Sequence, residues 1–119
     1  MLIVLYQIKQ KLKIIRMIIM SAEREALETY KEIAGTIVNQ HVQTLSTYHF
    51  PDKDNTAAEF IRIFNHEVKN INDELALNAE RILANLDYHT DYNKLKELLF
   101  VIRKDYFNEF LKKCEACLQ

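Results

Sequence analysis

The residues best suited to chemistry in this chain stand together at His66-Glu67-Val68-Lys69-Asn70. An unprotonated, accessible imidazole nitrogen can attack a phosphoryl group in line. A lysine one helical turn on can hold the transferred phosphoryl oxygens, and Lys69 has that spacing. Glu67 could hydrogen-bond to an attacking ring or polarise a neighbour. Asn70, small and polar at i+4, would let another protein's active site approach. Projected at about 100° per residue, His66 points away from an apolar side made of Phe60, Phe64, Ile71, Leu75, Ile82 and Leu86. Glu59, Arg62, Lys69, Asn70 and Asp73 surround it, and Ile63 and Leu77 interrupt this polar face in the way a docking surface requires. His66 and Lys69 are thus the candidate catalytic groups, with Ile63, Glu67, Asn70 and Leu77 as the surface around them. A helix that merely carries polar residues opposite its apolar stripe would place the same residue types together.

Other reactive side chains form no comparable group. A carboxylate-bridged metal site in a bundle needs Glu-x-x-His, but Val38, Ser46, Ile63 and Leu86 stand three residues before the four histidines. His66-Glu67 begins a His-Glu-x-x-His pattern that Asn70 breaks. Asp52-Lys53-Asp54 lacks the glycine and closing glutamate of a calcium loop. Cys114-Glu115-Ala116-Cys117 has redox and zinc spacing without a second ligand pair or a βαβ setting, so both thiols are expected to be buried structural residues. His41 falls in an apolar stripe and should be a core residue hydrogen-bonded to a neighbour. His49 and His89 fall in connections.

The elements that must carry these residues are helices. With one Gly (Gly35) and one Pro (Pro51) in 119 residues, the chain lacks the turn residues of a β-sandwich and the glycines of a phosphate-cradling α/β loop. A hydrophobic content of 49% and a charged content of 28% exclude a disordered chain. Ser21 followed by Glu23 and Glu25 has the pattern of a helix start. Leu27, Tyr30, Ala34, Ile37, Val38, His41 and Leu45 continue that helix to about Thr47. Pro51 and its aspartates break the chain over residues 48–54. Thr56 to Glu59 is a capping box opening a second helix to about Asp87, and Asp91 can cap a third that reaches Cys117. On that last helix Leu95, Leu99, Ile102, Tyr106 and Phe110 form one seam and Phe100, Phe107 and Cys114 another, which predicts a central helix with two neighbours. The expected fold is an all-α, antiparallel up-down bundle of three long helices, or four if the N-terminal segment packs.

That segment, residues 1–19, is set apart from a bundle domain over 20–119. Residues 1–20 carry Lys9, Lys11, Lys13 and Arg16 and no acid, whereas the remainder carries 12 basic and 17 acidic residues. An acidic body disfavours nucleic acid, and two cysteines suit a reducing cytoplasm. The N-terminal run is too interrupted by charge to span a bilayer, and no small-residue cleavage site follows it. Leu5, Ile8, Leu12, Ile15 and Ile19 recur at heptad-like spacing beside Lys9, Lys13 and Arg16. Such a basic amphipathic helix fits a membrane surface or a partner. A packed first helix, or an extension with Met17 or Met20 as the true start, is preferred over a membrane anchor.

The stretch Phe60-Ile61-Arg62-Ile63-Phe64-Asn65-His66-Glu67-Val68-Lys69-Asn70 resembles the phosphoacceptor segment of two-component signalling proteins. It is similar to the H-box of sensor histidine kinases and to the exposed histidine helix of histidine phosphotransfer (HPt) domains. An acidic turn before the helix and a long helix after a short loop extend the likeness over residues 50–118. Ile71 stands where the kinase H-box usually has proline, and Asn70 where the HPt motif has glycine. The resemblance implies a phosphorelay protein that passes a phosphoryl group from a receiver aspartate to His66 and on to another receiver, assisted by the receiver's own magnesium. It implies no kinase domain and no cofactor of the chain's own. The competing expectation is a non-enzymatic helical interaction module: an adaptor, assembly subunit or immunity-type inhibitor. It draws on the basic start, the acidic body, and Ile63 and Leu77 on a polar face. Both readings require a protein partner, and both are compatible with an oligomer.

Overall fold

The computed structural model describes residues 2–47, 57–86 and 91–118, without the side chains at 19, 117 and 118. Three helices account for nearly all of it: α1 (Leu2–Ser46), α2 (Ala57–Ala84) and α3 (Tyr92–Leu118). They form an up-down-up bundle in which each helix touches both others. α1 and α3 run side by side in the same direction, as Gly35 against Tyr106 and the hydrogen bond from Lys113 Nζ to Asn39 Oδ1 (3.0 Å) show. α2 runs antiparallel to both and packs against each. Among the described residues there is no strand, as the scarcity of turn residues dictated. The histidines at 49 and 89, the Pro51 turn, Asp52, Asp54 and the Thr56 cap lie outside the described residues.

The core divides into two clusters along the bundle. Ala34, Ile37, Val38, Leu45, Ile71, Leu75, Phe110 and Cys114 fill one end. Tyr30, Leu83, Leu95 and Leu99 fill the other. Tyr30, Ile71, Leu75, Leu95, Leu99 and Phe110 are fully buried, and each such aliphatic or aromatic side chain contributes about 1.5–3 kcal/mol. Tyr30 also donates its hydroxyl to the Leu75 carbonyl across 2.9 Å, using the second lone pair of an oxygen within α2. Asp91 begins α3 as expected, its Oδ1 accepting the Lys94 backbone N–H at 3.2 Å.

Two expectations need correcting, and one left open is decided. Ser21 is no helix start: α1 runs unbroken through it, because no proline or glycine interrupts residues 2–34 and extending a helix costs far less than nucleating one. The N-terminal segment does not pack as a first or fourth helix. It projects from the bundle with Leu2, Ile3, Val4, Leu5, Tyr6, Ile8, Leu12, Ile14, Ile15, Met17, Ile18 and Met20 all exposed, stretching the molecule to 83 × 22 × 16 Å. Finally, α3 touches two neighbours as expected, but so does each other helix, and its second seam holds only at Phe107 and Cys114. Phe100 is 54% exposed while Cys114 is buried. A stripe at steps of seven rotates by about 20° per heptad around a straight helix, so a line that is inside at Cys114 has turned to solvent at Phe100. The Lys104 ammonium instead lies 5.6 Å from the Phe100 ring centre.

Candidate functional site

α2 presents His66 to solvent, as its place opposite the apolar stripe requires. No described side chain hydrogen-bonds to the ring. Lys69 and Asp73 are exposed on the same helix, Asn70 is half-buried, and Leu77 is 46% exposed. Arg62 is tied to Glu59 at 2.5 Å, and this guanidinium holds the Glu59 carboxyl below the usual carboxylate range.

Two of the expected surface residues are turned elsewhere. Ile63 is half-buried against the Ile71–Phe110 cluster, so Ile63, His66 and Leu77 are not exposed together. Glu67 is buried and faces α1, where its Oε2 lies 2.5 Å from His41 Nδ1. Projected at about 100° per residue, Glu67 falls only about 20° from Phe60, at the edge of the apolar arc, which is why it turns inward. It therefore cannot serve the His66 ring as expected.

The inward-facing group is the arrangement that the sequence did not display. His41 is the buried, hydrogen-bonded core histidine expected of its stripe, yet its partners are carboxylates on another helix. Nδ1 meets Glu67 and Nε2 meets Glu74 Oε2 at 3.2 Å, and Glu74 itself remains half-exposed. His41 thus reaches two carboxylates of α2, one from each ring nitrogen. This pin across α1 and α2 fixes the rotation of α2, and with it the outward direction of the preceding residue, His66.

Among the described residues, surface grooves between the helices lie apart from His66. One, of about 550 Å³, runs between α2 and α3 and is lined by Ala76, Ala79, Leu83, Leu99, Phe100 and Val101 among others. The second, of about 700 Å³, lies between α1 and α3 where the projecting segment meets the bundle, and includes Met17, Met20, Leu98 and Val101. Among the described residues no three His, Cys, Asp or Glu side chains stand together as a metal site would need. No described helix is long and apolar enough to cross a membrane. Cys114 is buried as expected of a structural thiol; the side chain of Cys117 lies outside the described residues. No known protein family, curated protein or solved structure matches this chain.

Proposed function

We propose that this protein is a helical interaction module whose binding element is the projecting half of α1. One observation carries the reading. Twelve large apolar side chains between Leu2 and Met20 are exposed on a helix that the other described residues leave largely uncovered. Contiguous apolar surface of this extent serves a contact with something else. The bundle is then a platform that nucleates and holds the arm in helical form. If the arm has no part in the fold, replacing Leu5, Leu12 and Ile15 together by Gln leaves the melting temperature of the bundle almost unchanged, because exposed substitutions stay within about 0.5 kcal/mol each. A large drop in thermal unfolding would place the arm in the packed core and remove this reading.

A second reading, phosphoryl relay through His66, is favoured by the exposure of that ring beside Lys69. Here His66 would take the phosphoryl group from a receiver aspartate and return it to another, with Lys69 drawing the phosphoryl oxygens. Phosphorus NMR after treatment with phosphoramidate tests it. A phosphohistidine resonance is expected in the parent and absent in His66→Gln, and a parent without the resonance rules relay out.

A further inference from the structure

The way apolar and basic residues are spread around the arm defines what lies against it. Projected at about 100° per residue, Val4, Leu5, Ile8, Leu12, Ile15 and Ile18 fall within an arc of about 140°, and Ile14 widens it to about 180°. All of these side chains are exposed. Lys9, Lys13 and Arg16 share a face about 60° wide, between about 110° and 170° from the middle of that arc. Lys11 lies inside the arc, where its long stem can run along the apolar surface and carry the ammonium to its edge. Residues 2–6 are apolar or aromatic right round the helix.

A single partner helix is too narrow for this surface. A helix-pairing seam is a stripe narrower than the face of an ordinary amphipathic helix, so it would leave Ile14 and Ile18 in water. Nor does such a seam run along α1, since the series Ile8, Ile15 and Ala22 continues as Thr29 and Thr36, both exposed. A second copy of the arm is no match either, because both carry four basic residues and no acid. A liquid apolar layer suits the arm better. An interfacial helix sinks about 5–10 Å into a lipid surface, against a diameter of about 10–12 Å with its side chains. Immersion to that depth covers half the circumference or more, Ile14 and Ile18 together with Leu5 and Leu12, and surrounds the apolar residues 2–6. Charge selects the kind of lipid. Four basic residues and no acid favour an anionic surface, whereas Glu23, Glu25 and Glu28 follow directly and the body beyond residue 20 carries 12 basic and 17 acidic residues. An anionic surface thus attracts the arm and repels the bundle.

We infer that residues 2–20 of α1 lie in the plane of an anionic phospholipid surface, with the apolar arc among the acyl chains and Lys9, Lys13 and Arg16 at the phosphates. The inference rests on the interaction-module reading and names what the arm binds. The arm lies on the surface without crossing it, in keeping with the finding that no described helix is long and apolar enough to span a membrane. Because the arm is continuous with a packed helix, it is already ordered, so less conformational freedom is lost on binding.

The test uses the full chain with vesicles of phosphatidylcholine alone and of phosphatidylcholine mixed equally with phosphatidylglycerol. In co-sedimentation at low salt the anionic vesicles should bind the chain about tenfold more tightly or better, and added salt should narrow the difference. The variant Lys9→Gln/Lys13→Gln/Arg16→Gln, whose sites are exposed, should lose the preference. Leu5→Gln/Leu12→Gln/Ile15→Gln should lose binding to both vesicles. The chain has no tryptophan, so a single introduced one reports its own surroundings. Emission from Ile15→Trp should shift to the blue on anionic vesicles, while Gln10→Trp, about 140° away round the helix, should shift much less. The inference is overturned if anionic vesicles fail to bind the chain, if neutral vesicles bind it equally well, or if both tryptophans shift alike. It is also overturned if sedimentation without lipid shows the chain pairing with itself through the arm. With the melting temperature of the Gln-substituted arm unchanged, those outcomes leave the interaction-module reading standing and turn the search to a protein partner. A large drop in that melting temperature removes both.

Discussion

At the scale of single residues, the His41–Glu67 pair and Tyr30 hold the bundle in register, and each makes a prediction. Removing one member of a buried hydrogen-bonded pair leaves the other without its partner, a loss of about 1–3 kcal/mol. His41→Leu should therefore lower stability in urea by that amount, since it leaves the Glu67 carboxyl facing an apolar neighbour. The double variant His41→Leu/Glu67→Leu should recover most of that loss, because apolar replacements of similar volume restore packing. Single and double losses that simply add would mean that the two side chains do not act as a pair. Tyr30 answers to pH. Burial pushes its phenol up to about 12 from 10.0, only partly offset by the Arg103 charge. Between those two values the unfolded chain releases the proton and the folded chain keeps it, so stability is complete below pH 10 and falls as pH rises toward 12. The expected fall is about 2–3 kcal/mol in total. Tyr30→Phe should flatten this part of the stability–pH curve, and an unchanged slope in that variant would assign the alkaline loss to other groups.

At the scale of elements, most of the architecture was legible because helix periodicity and caps are local signals. The α2 stripe, the Asp91 cap and the ends of α1 and α3 near Ser46 and Leu118 follow from residues within a few positions of each other. The errors occur where local patterns compete with something longer in range. Ser21 has the composition of a start, but a helix already running from Leu2 continues through a serine at small cost. Phe100, Phe107 and Cys114 repeat at sevens, but the core follows the helix's own slightly longer repeat and abandons that line at Phe100. The candidate site was half legible for the same reason. The outward direction of His66 and Lys69 could be read from the wheel of α2, whose apolar stripe already orients the helix before the His41–Glu67 contact secures it. The inward turn of Glu67 depends on which residue of α1 lies across from it, and the pairing of two helices is not written in either alone. A carboxylate at the edge of an apolar arc, with one histidine inside the apolar stripe of another helix, was the available signal.

At the scale of the whole molecule, the arm decides the shape, and the shape can be measured without knowing any partner. A compact domain of this length has a radius of gyration of about 14 Å. The extended arm raises it to 21.1 Å and the long axis to 83 Å. Forty-five residues of continuous helix span about 67 Å, so α1 alone accounts for most of that axis. Small-angle scattering of a dilute monomer should therefore give a radius of gyration near 21 Å and the pair-distance tail of a rod. A value near the compact limit would mean that α1 bends near Met20 and lays the arm over the groove between α2 and α3, where Phe100 and Val101 are exposed. The same apolar residues would then be stabilising the fold, the Gln substitutions would lower the melting temperature, and the arm would have no surface left to offer a partner. A mass above that of one chain, with basic arms overlapping, would put Lys9 and Arg16 of two copies together. Such an assembly should strengthen as added salt screens the repulsion, and that salt dependence identifies self-pairing through the arms.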